Sequence, residues 1–120
     1  MKLRIRGNSI RLRLLRSEAA KLAEDGEVSE KAGFGNSTEF IYTLAVSDEA
    51  KEISARFEEN EIKILLPKSV AMNWVKSEQV SLTAGQKIDG SDDTLKILVE
   101  KDFVCLERKD DPDNADAFNR

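Results

Sequence analysis

From Lys2 to Leu14 apolar and charged residues alternate. Leu3 and Ile5 lie between Lys2, Arg4 and Arg6, and past Gly7-Asn8 the pattern resumes as Ile10, Leu12 and Leu14 around Arg11 and Arg13. A period of two sends successive side chains to opposite faces of a strand, so the stretch predicts a hairpin with one apolar and one basic face. Gly7-Asn8 tolerate positive φ and supply its turn. Ser17 reads as a helix N-cap, with Ala19, Leu22 and Ala23 on the apolar side and Gly26 as the C′ residue. Residues 27–31 read as a strand, Gly33 to Ser37 as a loop, and Phe40 to Val46 as a strand of high β-propensity.

The second half predicts the same order. Ile53, Ala55 and Phe57 alternate, Glu59-Asn60 make a turn, and Ile62, Ile64 and Leu66 face inward. Pro67 ends that strand, and Lys68-Ser69 lead into a helix buried through Ala71, Trp74 and Val75. Val80 and Leu82 open a strand, Asp89 to Asp92 form a loop, and Thr94 to Val99 form a long apolar strand. Phe103 to Leu106 continue the sheet past a kink at Asp102. From 107 to 120 the chain is polar and acidic and reads as a disordered tail.

The two halves also match in letters. An ungapped shift of about 52 positions, a repeat-scale period, pairs Asn8, Ile10, Leu14, Ser17, Ala19, Val28, Ser29, Ala32 and Gly33 with identical residues. Chance would give roughly one or two such matches. Two β-β-α-β-β units, 2–46 and 53–100, are each too small to bury a core alone. They predict one α+β domain over 1–106, a small β-barrel of interlocked repeats with two short helices, of swapped-hairpin or double-psi strand order.

Composition narrows the function. The chain of 120 residues has one cysteine and no histidine, which excludes His-based triads and His-ligated metal sites. Cys105 reads as a small core residue, and its solitude fits a reducing cytoplasm. No apolar run suggests a signal peptide or a membrane span. Carboxylates are plentiful but form no pair that can be placed in a cleft, so the chain reads as non-catalytic, without cofactor or metal. Gly33-Phe34-Gly35-Asn36 leads into a strand rather than a helix and lacks the features of a phosphate loop. Asp89, Asp92 and Asp93 lack the spacing of a calcium loop.

Charge is segregated. Lys2, Arg4, Arg6, Arg11, Arg13 and Arg16 precede any acidic residue, so a net charge of −4 leaves the rest of the chain at −10 (−4 less +6). Such a field is an electrostatic hint of a partner. The candidate nucleic-acid-binding residues are Lys2, Arg4, Arg6, Asn8, Arg11, Arg13 and Arg16. The opposing reading makes the arginines a solvated face neutralised by acidic neighbours such as Glu27, Glu30 or Glu39.

The basic strand, the Gly7-Asn8-Ser9 turn, the helix opened by Ser17 and the Gly26-Glu27-Val28 that follows resemble the swapped-hairpin (AbrB/MazE-like) family of transition-state regulators and addiction antidotes. Leu66-Pro67-Lys68-Ser69 and Glu78-Gln79-Val80 resemble the same elements in the second half. The resemblance implies a cradle-loop barrel, here a single-chain pseudo-dimer, monomeric or weakly dimeric, binding double-stranded DNA through the first hairpin. Leu15 stands where the family has proline, and Glu59-Asn60-Glu61 replaces the Gly-Asn-Ser turn, removing the matching basic surface from the second half. The alternative is a cytoplasmic protein-interaction or scaffolding domain that has lost DNA binding, with Val70, Met72 and Phe118 as candidate partner contacts.

Overall fold

Each half of the chain lends one hairpin to each of two four-stranded sheets. The structure is a computed structural model that describes residues 1–103 and 112–119. Its elements are β1 (Lys2–Arg6), β2 (Ser9–Leu14), α1 (Arg16–Asp25), β3 (Glu27–Gly35), β4 (Thr38–Ser47), β5 (Ser54–Glu58), β6 (Glu61–Pro67), α2 (Lys68–Lys76), β7 (Ser81–Lys87) and β8 (Thr94–Lys101). The first sheet runs β1-β2-β8-β7 and the second β3-β4-β6-β5. Hairpins pair antiparallel, whereas the central pairs β2–β8 and β4–β6 are parallel. The β2–β8 pair joins the two ends of the chain, and the β4–β6 pair joins its middle. The protein is a small α+β domain in which neither half by itself makes up a sheet.

The first hairpins of the two halves match in register. β1 and β5 differ by 52 positions at both ends, and Leu12 and Ile64, fully buried, occupy matching places opposite Val99 and Leu44. After the helices the register moves. The Val46 amide donates to the Gly26 carbonyl at 2.8 Å, and the Lys101 amide donates to the Val80 carbonyl at 3.0 Å. Gly26 therefore corresponds to Val80, not to Glu78 as in the ungapped match, and Val46 corresponds to Lys101. By the same reckoning Val28, opposite Leu44, corresponds to Leu82, opposite Val99. Both are buried, whereas Val80 is 41% exposed. The identities Val28/Val80, Ser29/Ser81, Ala32/Ala84 and Gly33/Gly85 are thus coincidences of letters. The cause is the longer link from α2 to β7, residues 77–80, where α1 reaches β3 through Gly26 alone.

Other expectations are corrected locally. Ser17 is not the N-cap of α1: Leu15 is, and Glu18 accepts its N–H at 2.8 Å. Gly26 ends the helix as expected, at φ +83° with its N–H on the Leu22 carbonyl. Residues 33–35 belong to β3, and only Asn36-Ser37 turn, both at positive φ. Residues 112–119, part of the expected disordered tail, fold back on α1. There the Asp116 carbonyl accepts the Arg16 N–H at 2.9 Å, and the Asp116 carboxylate accepts both the Ser17 N–H and hydroxyl. The strand continuation at 104–106, with Cys105, lies outside the described residues.

The core lies between the sheets and under the helices. Leu12, Leu14, Leu22, Leu44, Ile64, Leu66, Trp74, Ile97 and Val99 are fully buried, or nearly so. The Trp74 indole N–H donates to the Val80 carbonyl at 3.0 Å, which satisfies its polar edge. No helix is long and apolar enough to cross a membrane, among the described residues.

Candidate functional site

Alternation along the first sheet decides which side chains share its outer face. Ile10, Leu12 and Leu14 of β2 point to the core, as do Ile97 and Val99 of β8. Arg11 and Arg13 therefore face outward. The register places Arg4 beside Arg11 and Lys2 beside Arg13 on one flank, with Lys96 beside Ser9 and Glu100 beside Arg13 on the other. Arg6 extends the row at the far end of β1, and Lys87 lies on the outward side of β7.

Three carboxylates temper this face. Glu100 Oε1 lies 2.8 Å from Arg11 Nε and 3.9 Å from Arg13 Nε. It makes charge contacts there without an aligned hydrogen bond. Asp102 pairs with Lys2 Nζ at 3.1 Å, and Asp113 approaches the same ammonium at 3.5 Å. These partners raise the Lys2 pKa, with the Asp102 hydrogen bond as the largest cause. Among the described residues Arg4 and Arg6 have no ion-pair partner. Glu27, Glu30 and Glu39, the acidic neighbours considered from sequence, belong to β3 and β4 of the other sheet. There Glu39 pairs with Lys31 at 3.1 Å and Glu30 accepts the Tyr42 hydroxyl at 2.9 Å.

The arginines also enclose space. Arg4, Arg6, Ser9 and Arg11 line a cleft of about 200 Å³. Lys2, Arg4, Arg11 and Arg13 line a second of about 180 Å³. Donors facing each other across such gaps suit an anion of phosphate size, because guanidinium groups offer several fixed N–H donors.

The twin face on the second sheet is different. Arg4 and Arg11 keep basic counterparts in Arg56 and Lys63, but Arg6, Ser9 and Arg13 correspond to Glu58, Glu61 and Leu65. Glu27 and Glu39 add further negative charge to that sheet. Glu61 accepts the Thr43 hydroxyl at 2.5 Å, and Thr43 in turn meets Ser29 at 2.9 Å.

The remaining candidates separate from the row. Asn8 is exposed in the β1–β2 turn, at the end of the face. Arg16 lies on α1, where its guanidinium donates to the Ala115 carbonyl at 3.0 Å. Val70 and Met72 are half-buried and pack on the core, and Phe118 packs on it as well as on Phe103. Sequence reading misses Lys87 and Lys96, which have no local mark until β8 is seen beside β2. It also misses an apolar groove of about 570 Å³ in which Ile5 and Phe57, exposed by 53% and 65%, flank Phe40 and Leu95.

The fold and this face define a small α+β domain of two four-stranded sheets with a basic surface on one of them. The chain belongs to a family of unknown function, DUF7009, whose model matches residues 1–120. No curated protein and no solved structure matches it.

Proposed function

We propose that this protein is a non-catalytic binding protein that takes a polyanion, most concretely the phosphate backbone of double-stranded DNA, on the outer face of the β1-β2-β8-β7 sheet. The observation that carries the reading is the row Arg4, Arg6, Arg11 and Arg13, which Lys2 and Lys96 extend and which only Glu100 and Asp102, with Asp113 near Lys2, oppose among the described residues. Phosphate contacts through such a row position a duplex without reading its sequence. Among the described residues the face carries no aromatic side chain on which an unstacked base could rest, which favours a duplex over a single strand. The crossed pairing of the two halves supports the reading of a duplicated, AbrB/MazE-like barrel acting as a single-chain pseudo-dimer. Its one-sided charge then makes contact with DNA asymmetric.

The test is fluorescence anisotropy with a random duplex at low and physiological salt. Wild type is expected to bind with an affinity that falls steeply with salt, as release of several counterions requires. Arg4→Glu, Arg6→Glu, Arg11→Glu and Arg13→Glu made together should abolish binding. Absence of binding at low salt would overturn the proposal and shift attention to a protein-interaction role, for which the apolar groove beside Phe57 is the supporting observation.

A further inference from the structure

On the inner side of the same sheet, β8 ends in a buried cation. Lys101 is 6% exposed. Its place in the second half corresponds to that of Val46 of β4 in the first, so the architecture itself accepts an apolar residue there. The Lys101 ammonium donates to the Ser77 carbonyl at 2.6 Å, and lies 5.6 Å from the centre of the Trp74 ring and 5.4 Å from that of Phe118. Among the described residues it has no ion-pair partner; Glu78 acts on it only from farther away, at an exposed position. An ammonium out of water without a counter-charge is costly, and aromatic faces and one carbonyl offset only part of that.

The space beside it is shaped for a ligand. Lys101 lines a cavity of about 550 Å³ whose walls include Val75, Val80, Phe103 and Phe118, with Glu78 also on its lining. That volume is in the usual range for small-molecule sites, as is the combination of mainly apolar walls with few charged groups. Val80 is 41% exposed here, which the core does not explain.

We propose that this cavity binds a small amphiphilic carboxylate, its anionic head on the Lys101 ammonium and its apolar body against Val80, Phe103 and Phe118. The carboxylate supplies the close counter-charge that Lys101 lacks among the described residues, and its contact with the ammonium is charge-assisted. The inference is independent of the basic outer face.

Trp74 is the single tryptophan of the chain and adjoins the ammonium, so its fluorescence reports occupancy. The experiment titrates the full-length protein with 4-phenylbutanoate, and in parallel with 4-phenylbutanamide, which matches it in shape but lacks charge. The carboxylate is expected to give a saturable change and to bind at least about tenfold more tightly than the amide, the size of a charge-assisted contact. Lys101→Met, which keeps the unbranched stem but removes the ammonium, should lose that preference while retaining the wild-type far-ultraviolet spectrum. No saturable change with the carboxylate, or equal affinity for the amide, overturns the proposal on the wild-type protein alone, whether or not the variant folds. Unchanged preference in a folded Lys101→Met protein overturns it as well.

Discussion

The side-chain amide of Gln86 meets the backbone of Ala55 as a neighbouring strand would. Its Oε1 accepts the Ala55 N–H at 2.7 Å and its Nε2 donates to the Ala55 carbonyl at 2.8 Å, so one side chain bridges β5 of one sheet to β7 of the other. Gln86→Leu removes both bonds and leaves a half-buried backbone pair unsatisfied, a loss of about 1–3 kcal/mol. Gln86→Glu keeps the acceptor but loses the donor and should fall between the two. Urea denaturation of the three proteins checks the order.

Leu12 and Ile64 hold matching places in the two central parallel pairs, and both are fully buried. Because each contributes to one shared core, Leu12→Ala and Ile64→Ala should each cost about 2–5 kcal/mol. Each should also shift a single cooperative transition. Two separate transitions, one per half, would contradict the shared core.

Asp116 joins the C-terminal segment to α1. Its hydrogen bonds from Ser17 hold its carboxyl below the ordinary value of 3.8. A carboxyl whose folded pKa is depressed stabilises the folded state above its unfolded value, and that contribution disappears as pH falls through the folded pKa. Docking of residues 112–119 is therefore expected to hold at neutral pH and to weaken below about pH 4. Asp116→Ala should mimic the acid state at neutral pH, with faster amide hydrogen exchange at Ser17 and Phe118.

Glu100 is the carboxylate shared by Arg11 and Arg13, and removing it should strengthen the basic face rather than weaken it. Ion contacts at partly exposed sites are worth about 0–1 kcal/mol. Glu100→Gln should accordingly raise duplex affinity by about two- to fivefold at low salt. Reduced affinity in the anisotropy assay would contradict the placement of Glu100 on the binding face.

Lys101 yields a stability prediction apart from any ligand. Burial lowers its pKa from 10.5, so the folded protein binds this proton less tightly than the unfolded chain. The charged side chain thus works against folding at neutral pH, and its penalty lifts as pH rises through the folded pKa toward 10.5. Lys101→Met should leave stability at pH 7 unchanged or raise it by about 1 kcal/mol, as replacing a buried ion with an apolar side chain often does. Thermal melts at neutral pH and at a pH close to 10.5 check both the size and the direction.

Much of the fold is legible because period-two alternation is a local signal. The strands around Ile10, Leu12 and Leu14 and around Ile62, Ile64 and Leu66 stand where their patterns place them. What escapes depends on partners distant in the chain. The match of Val28 with Val80 is persuasive in letters, yet a longer link after α2 moves Leu82 into the buried place. Ser17 has the chemistry of a cap, but its hydroxyl serves Asp116, ninety-nine residues later. The arginine row is readable as alternation, whereas its acidic partners, Glu100 and Asp102, come from β8 and the residue after its last, far along the chain. Lys101 falls in an apolar strand with no local mark of what surrounds its ammonium.

The crossed pairing of the sheets has a chronology. The second sheet needs nothing beyond Pro67, and its central pair joins residues as close in sequence as Ile41 and Glu61. The first sheet joins Ser9 to Lys96 and cannot close until β8 exists. Loop closure over the longer span costs more entropy, and such non-local pairing slows folding. On a growing chain the arginine-bearing hairpin is therefore made before the other elements and is among the last to gain its neighbour.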